Sequence, residues 1–176
     1  MSLTQELIRL IRHKPIGDGD YQQAALLMLD AVASAYAGTA TPVGHILREW
    51  ASARDHNDQR NALLMGAMTH ITETDDLHRA SVTHPGCVVV PAVLALGARL
   101  KSSPEQILRA MIHGFEAMCR IGNAVGPAHY RVWHNTATCG PFGSAMACAT
   151  LAAVDTGPIA PVRMNGTTII PCPRVE

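Results

Sequence analysis

The chain has 176 residues, of which 48% are apolar and only 16% charged. That balance excludes a solvated, disordered polymer and suits a single domain with a sizeable core. The formal net charge is zero, so no broad basic face for nucleic acid or an acidic lipid surface is implied. Lysine is scarce, with only Lys14 and Lys101 against twelve Arg, which favours guanidinium grips over lysine chemistry. The five cysteines are far apart and form no CxxC pair, so they read as free thiols of a reducing cytoplasm.

Met1 to Lys14 is short and amphipathic, with Glu6, Arg9 and Arg12, and lacks the uncharged centre of a secretory signal. Residues 21–37 place Ala25, Leu29, Val32 and Tyr36 on one helical stripe, stopped by Gly38. Thr41-Pro42 reads as a cap and first turn, followed by Ile46, Leu47, Trp50 and Ala51 on one face. Residues 61–74 are apolar almost all round, as in a central bundle helix, and end in polar residues from His70 onward. Val88 to Val90 alone suggest a strand, but Pro91 argues for a helix over 88–100 with an irregular start. That run is too short to cross a bilayer. Ser103-Pro104-Glu105-Gln106 is a capping-box start for a helix reaching about Val125. A loop is expected over 126–135, then a helix from Pro141 to Ala153. The sum is an all-α multi-helix bundle of roughly five or six helices over residues 1–154. An irregular Pro/Gly-rich tail follows over 155–176.

Three polar clusters interrupt the apolar pattern. The first runs from His70 through Glu73, Asp75 and Asp76 to His78. Adjacent carboxylates cannot both aim at one spot on a helix, but at a helix end one can turn inward to orient a His or exchange a proton with it. His70, Asp75 and His78 lack a recognised metal-ligand spacing, so no metal is expected. In the second cluster, Pro85 holds His84 in extended backbone and Gly86 allows a bend, fixing an imidazole on a loop. The third is a loop with His129, Tyr130, Arg131, Trp133, His134 and Thr136, where Arg131 can grip a carboxylate and His134 can move a proton. Glu116 and Arg120 read as a structural i,i+4 pair.

The segments TETDDLHRASVTHPGCVVVPAVLALG, GFEAMCRIGNAVGPAHYRVWHNTATCGPFGSAMACATLAAVD and LLMLDAVASAYAGT resemble the MmgE/PrpD family over about Ile8 to Asp155. That family includes 2-methylcitrate dehydratase, cis-aconitate decarboxylase and iminodisuccinate epimerase. The resemblance implies an all-α first domain, homodimers, no cofactor or metal, and lyase-type proton transfer on di- and tricarboxylates. It places Asp75 and Asp76 on the family's paired aspartates, His84 on its His-Pro histidine and His134 on its His-x-Thr histidine, as catalytic groups. Glu73, His78, Arg131 and Thr136 are the expected substrate-binding neighbours. Departures are Glu73 where relatives often carry Asp, Leu77 where Thr is usual, and one extra residue before His84. Family enzymes are more than twice as long as this chain and complete their pocket with later lysines and a tyrosine. A truncated chain with an incomplete site is therefore expected. The alternatives are a non-catalytic oligomerisation or carboxylate-binding module, and one half of a split enzyme completed by a separate polypeptide.

Overall fold

A computed structural model describes residues 3–152 and contains seven helices among them. They are α1 (Leu3–His13), α2 (Asp18–Gly38), α3 (Pro42–Ser52), α4 (Asp58–His70), α5 (Gly86–Leu100), α6 (Pro104–Tyr130) and α7 (Asn135–Ala152). The fold is all-α, as expected, with no strand among the described residues. An isolated bridge joins His78 to Thr83. The tail expected over 155–176 lies outside the described residues. No single described helix is long and apolar enough to cross a membrane.

The local signals act where the sequence puts them. Thr41 Oγ1 accepts the Gly44 N–H at 2.9 Å, with Pro42 in the first turn of α3. Ser103 Oγ accepts the Gln106 N–H at 3.2 Å, and Gln106 Oε1 accepts the Ser103 N–H at 2.8 Å. Each such cap contributes about 1 kcal/mol by pairing an otherwise orphaned helix-end donor. The amphipathic N-terminal stretch forms α1, which accounts for one helix beyond the expected number. Its Ile11 is buried with Ala117 of α6 and Met146 of α7. Lys14 also reaches Glu116, which Arg120 grips at 2.8 Å, so the expected i,i+4 pair is part of a three-residue network.

The centre of the bundle differs from expectation. The helix over 61–74 is not central: α4 stops at His70, and its Leu63 is 54% exposed. The central helix is α5, whose Val89, Val90, Val93 and Leu96 are shielded almost completely. Burial on several sides lets a β-branched run persist as helix, because packing outweighs the propensity penalty of tenths of a kcal/mol per residue. Pro91 sits inside this helix, its fixed φ being a helical value. On one flank, α6 and α7 approach closely at facing glycines. A Cβ on Gly114 would stand 2.9 Å from the Gly143 carbonyl, and one on Gly143 would stand 3.0 Å from the Gly114 carbonyl.

Two boundaries also shift. The expected 126–135 loop is partly helical, because the chain breaks at Gly126 (φ 68°, ψ −176°) and Pro127 starts another turn reaching Tyr130. Helix α7 begins at Asn135, ahead of Pro141. The stripe Ala25, Leu29, Val32 and Tyr36 exists but faces outward, with Leu29 63% and Tyr36 81% exposed. Instead α2 buries Ala24, Ala31, Ser34 and Gly38. Small residues allow close approach to neighbouring helices, which a row of large side chains would prevent.

Candidate active site

The segment between α4 and α5, residues 71–85, carries most of the expected site. It is pinned from several directions. His78 and Thr83 exchange backbone hydrogen bonds, the N–H of His78 donating at 2.9 Å. Asn135 Nδ2 donates to the Ser81 carbonyl at 2.8 Å, and the His84 N–H donates to Thr136 Oγ1 at 3.0 Å. The start of α7 thus holds the second cluster in place, although the two are about fifty residues apart in sequence.

At its heart lies Asp75, whose side chain is fully buried. Its carboxylate receives His70 Nδ1 at 3.1 Å on one oxygen and 3.2 Å on the other. His84 Nδ1 stands 3.5 Å from Asp75 Oδ1, shielded from water and without a hydrogen bond of its own. The His70 and His84 rings meet edge to face with centroids 4.7 Å apart. The His134 ring lies 6.2 Å from that of His70, and the Tyr130 ring 6.3 Å from that of His134. An ionised carboxylate can only accept, so the Nδ1–H of His70 faces Asp75. Burial pushes the neighbouring Cys87 thiol up, and Asp75 adds to the shift, so Cys87 stays a neutral thiol.

Asp76 turns the other way. Its Oδ1 accepts the Gly86 N–H at 2.8 Å at the start of α5, and its own N–H donates to Asp30 Oδ2 of α2 at 3.1 Å. Burial pushes its carboxyl up to about 6. That net value includes a lowering by the Gly86 hydrogen bond, smaller rises from the charges of Asp75 and Asp30, and a lowering by His84. A side chain at position 86 would overlap Asp76 Oδ1, so this contact requires glycine.

The remaining expected residues divide. His134 is exposed at the rim of the cluster. Glu73 is mostly exposed and stands 3.6 Å from His70 Nε2. Thr136 is buried, with its hydroxyl oxygen taken by the His84 backbone. His78 is not brought to the cluster: its Nδ1 bonds Ser81 Oγ at 2.7 Å, and the ring borders a separate groove of about 450 Å³ between α2 and α6. Arg131 ends α6 exposed and makes no hydrogen bond or ion pair with the cluster. His70, which opens the first polar cluster of the sequence but was given no catalytic or binding role, belongs to the assembly, and so does Asp30, which the sequence reading missed. His70 ends α4, five residues before Asp75. Asp30 comes from α2 and left no local signal. His70, Asp75 and His84 each offer a ligand atom within 4.8 Å of the others, enough to hold a divalent cation. The hydrogen bond of His70 to Asp75 accounts for much of that clustering without one.

Fold and site together define a helical domain organised around a buried carboxylate between two imidazoles. A family model for the MmgE/PrpD N-terminal domain matches residues 6–161, so the chain belongs to the MmgE/PrpD family through that domain. The search of curated proteins gave no match.

Proposed function

We propose that this domain carries the acid–base groups of a lyase-type proton transfer on a small di- or tricarboxylate, of the 2-methylcitrate dehydratase or cis-aconitate decarboxylase kind. The observation that carries the reading is the convergence of His70, Asp75 and His84, with His134 at the rim. In it, His84 and His134 exchange protons with the substrate, a contribution of about 10²–10⁴ in rate. Asp75 orients the imidazoles, and Asp76, with its raised pKa, serves as an acid. Substrate carboxylates need cationic partners. Among the described residues no Lys or Arg is bonded into the cluster, so a further polypeptide segment supplies them, with Arg131 as the local contributor. A cytoplasmic setting suits Cys87, Cys119 and Cys139, which are free thiols.

Proton NMR in D₂O with 2-methylcitrate, citrate, cis-aconitate and iminodisuccinate tests this directly. Loss or exchange of a carbon-bound proton is expected with at least one of them, abolished by His84→Ala and by His134→Ala. Full activity in both variants refutes it, whereas silence from a folded sample across the panel points to an incomplete site that needs the further segment.

A second reading concerns assembly. The outward side of α2 exposes Leu26, Leu29, Val32 and Tyr36, and α3 exposes Val43 and Ile46. Asp30 is the sole charge between Tyr21 and Thr41, and it is turned inward to Asp76. An exposed, apolar and uncharged face of this kind supports a homodimer.

A further inference from the structure

Hydrogen bonding explains why His70 lies against Asp75, but it does not explain His84. His84 Nδ1 is shielded from water, makes no hydrogen bond and stands 3.5 Å from Asp75 Oδ1. A buried nitrogen of this kind carries a desolvation cost that nothing repays. With its proton on Nε2, the ring presents a lone pair to a carboxylate, and a cation between the two would satisfy both. The distances suit one. Asp75 Oδ1 has His70 Nδ1 at 3.1 Å and His84 Nδ1 at 3.5 Å. A tetrahedral metal with bonds of about 2.0–2.1 Å holds its ligand atoms about 3.3 Å apart. Ligand atoms of all three residues lie within 4.8 Å of one another. The far side of His70 adds an independent sign, because its Nε2 lies 3.6 Å from the Glu73 carboxylate. Metal-ligating histidines characteristically offer their other ring N–H to a carboxylate, which fixes ring and tautomer.

We propose that His70, Asp75 and His84 form a binding site for a zinc-class divalent cation, with Glu73 steadying His70 from outside. On binding, the proton of His70 moves from Nδ1 to Nε2, where Glu73 accepts its hydrogen bond. Two neutral rings and one ionised carboxylate then supply the ligands. Two nitrogens and one oxygen suit zinc or cobalt and disfavour magnesium and calcium, which take oxygen. Neighbouring groups are otherwise engaged. The Cys87 thiol donates to the His84 carbonyl at 3.2 Å, and burial keeps it protonated. Asp76 accepts the Gly86 N–H at 2.8 Å. Three protein ligands leave one tetrahedral position open. His70 is the most exposed of the three, with 27% of its side chain accessible, so entry is from its side, where the His134 ring lies 6.2 Å away.

This site goes beyond the proposed proton transfer, and its test uses no substrate, so each can fail alone. The full chain, stripped with a chelator, is titrated with zinc chloride by calorimetry and with cobalt(II) chloride by visible absorption. One zinc ion per chain is expected to bind at micromolar concentration. Cobalt is expected to give the intense visible bands of a tetrahedral ion, bleached by zinc and untouched by an equal concentration of magnesium. His84→Ala and His70→Ala are each expected to weaken zinc by about 100-fold, and Glu73→Gln by about tenfold. His45→Ala, at an exposed position of α3, is expected to leave binding unchanged. Absence of stoichiometric binding by the unmodified chain, or an octahedral cobalt spectrum, overturns the proposal without any variant having to fold. Unaltered affinity in a folded His84→Ala chain also overturns it, since the zinc would then sit on surface histidines. Equal competition by magnesium would rule out the nitrogen ligands.

Discussion

Asp76 is where chemistry and stability pull apart. Its folded pKa of about 6 exceeds the ordinary value of 3.8, so the folded state binds this proton more tightly than the unfolded one. Its favourable contribution is present below pH 3.8 and is lost as pH rises through 6. At neutral pH the buried charge is a burden. Asp76→Asn keeps an oxygen for the Gly86 N–H and removes the charge, so it is expected to stabilise the fold by ~1–3 kcal/mol at pH 7.5 while abolishing turnover. Denaturant melts beside the D₂O assay check both halves; a destabilised Asn variant would contradict the electrostatic account. The paired aspartates were legible in the sequence as a pair that cannot share one target. Which of them turns inward was not, because it depends on Gly86 and Asp30, which no spacing rule connects to them.

Among the helices, α6 carries a second titrating group with the opposite sign. His113 is 5% exposed, and its Nδ1 contacts Thr150 Oγ1 of α7 at 3.1 Å, while Nε2 is buried without a partner. Burial pushes it down to about 4, and the charges of Arg12 and Arg109 push the same way. A His with a lowered folded pKa stabilises fully above its unfolded value of 6.5, and that stability drains away as pH falls towards 4. A loss of ~2 kcal/mol across that window is expected, read from denaturant midpoints at successive pH values, and it should largely vanish in His113→Asn. An unchanged slope in that variant would assign the effect elsewhere. Helix starts were the most readable elements, since Ser103 and Thr41 act on backbone within three residues of themselves. Helix rank was not readable. Whether α4 or α5 lies at the centre is decided by contacts between distant segments, and both are apolar enough to qualify.

For the whole molecule, the same limit applies to faces. The α2 periodicity was correct, yet its conspicuous stripe points to solvent and its small residues point inward. Periodicity identifies a helix with an apolar side; it does not say whether a core or another subunit covers that side. With a homodimer proposed through α2 and α3, Leu29→Glu combined with Tyr36→Glu is expected to convert dimer to monomer, as measured by light scattering at micromolar concentration. A chain already monomeric before substitution would remove α2 as an interface.

Glu73 and Val82 both have left-handed backbones, with φ of 53° and 51°. Glycine or asparagine would hold such angles easily; a β-branched valine does so at a cost of order 1–3 kcal/mol. The segment between α4 and α5 therefore keeps its shape because the rest of the molecule insists on it. Cut free as a peptide, it would relax into something else. The imidazoles and carboxylates are in this sense pre-aimed: their geometry is settled when the chain folds, and a substrate arriving later would find it ready instead of having to induce it.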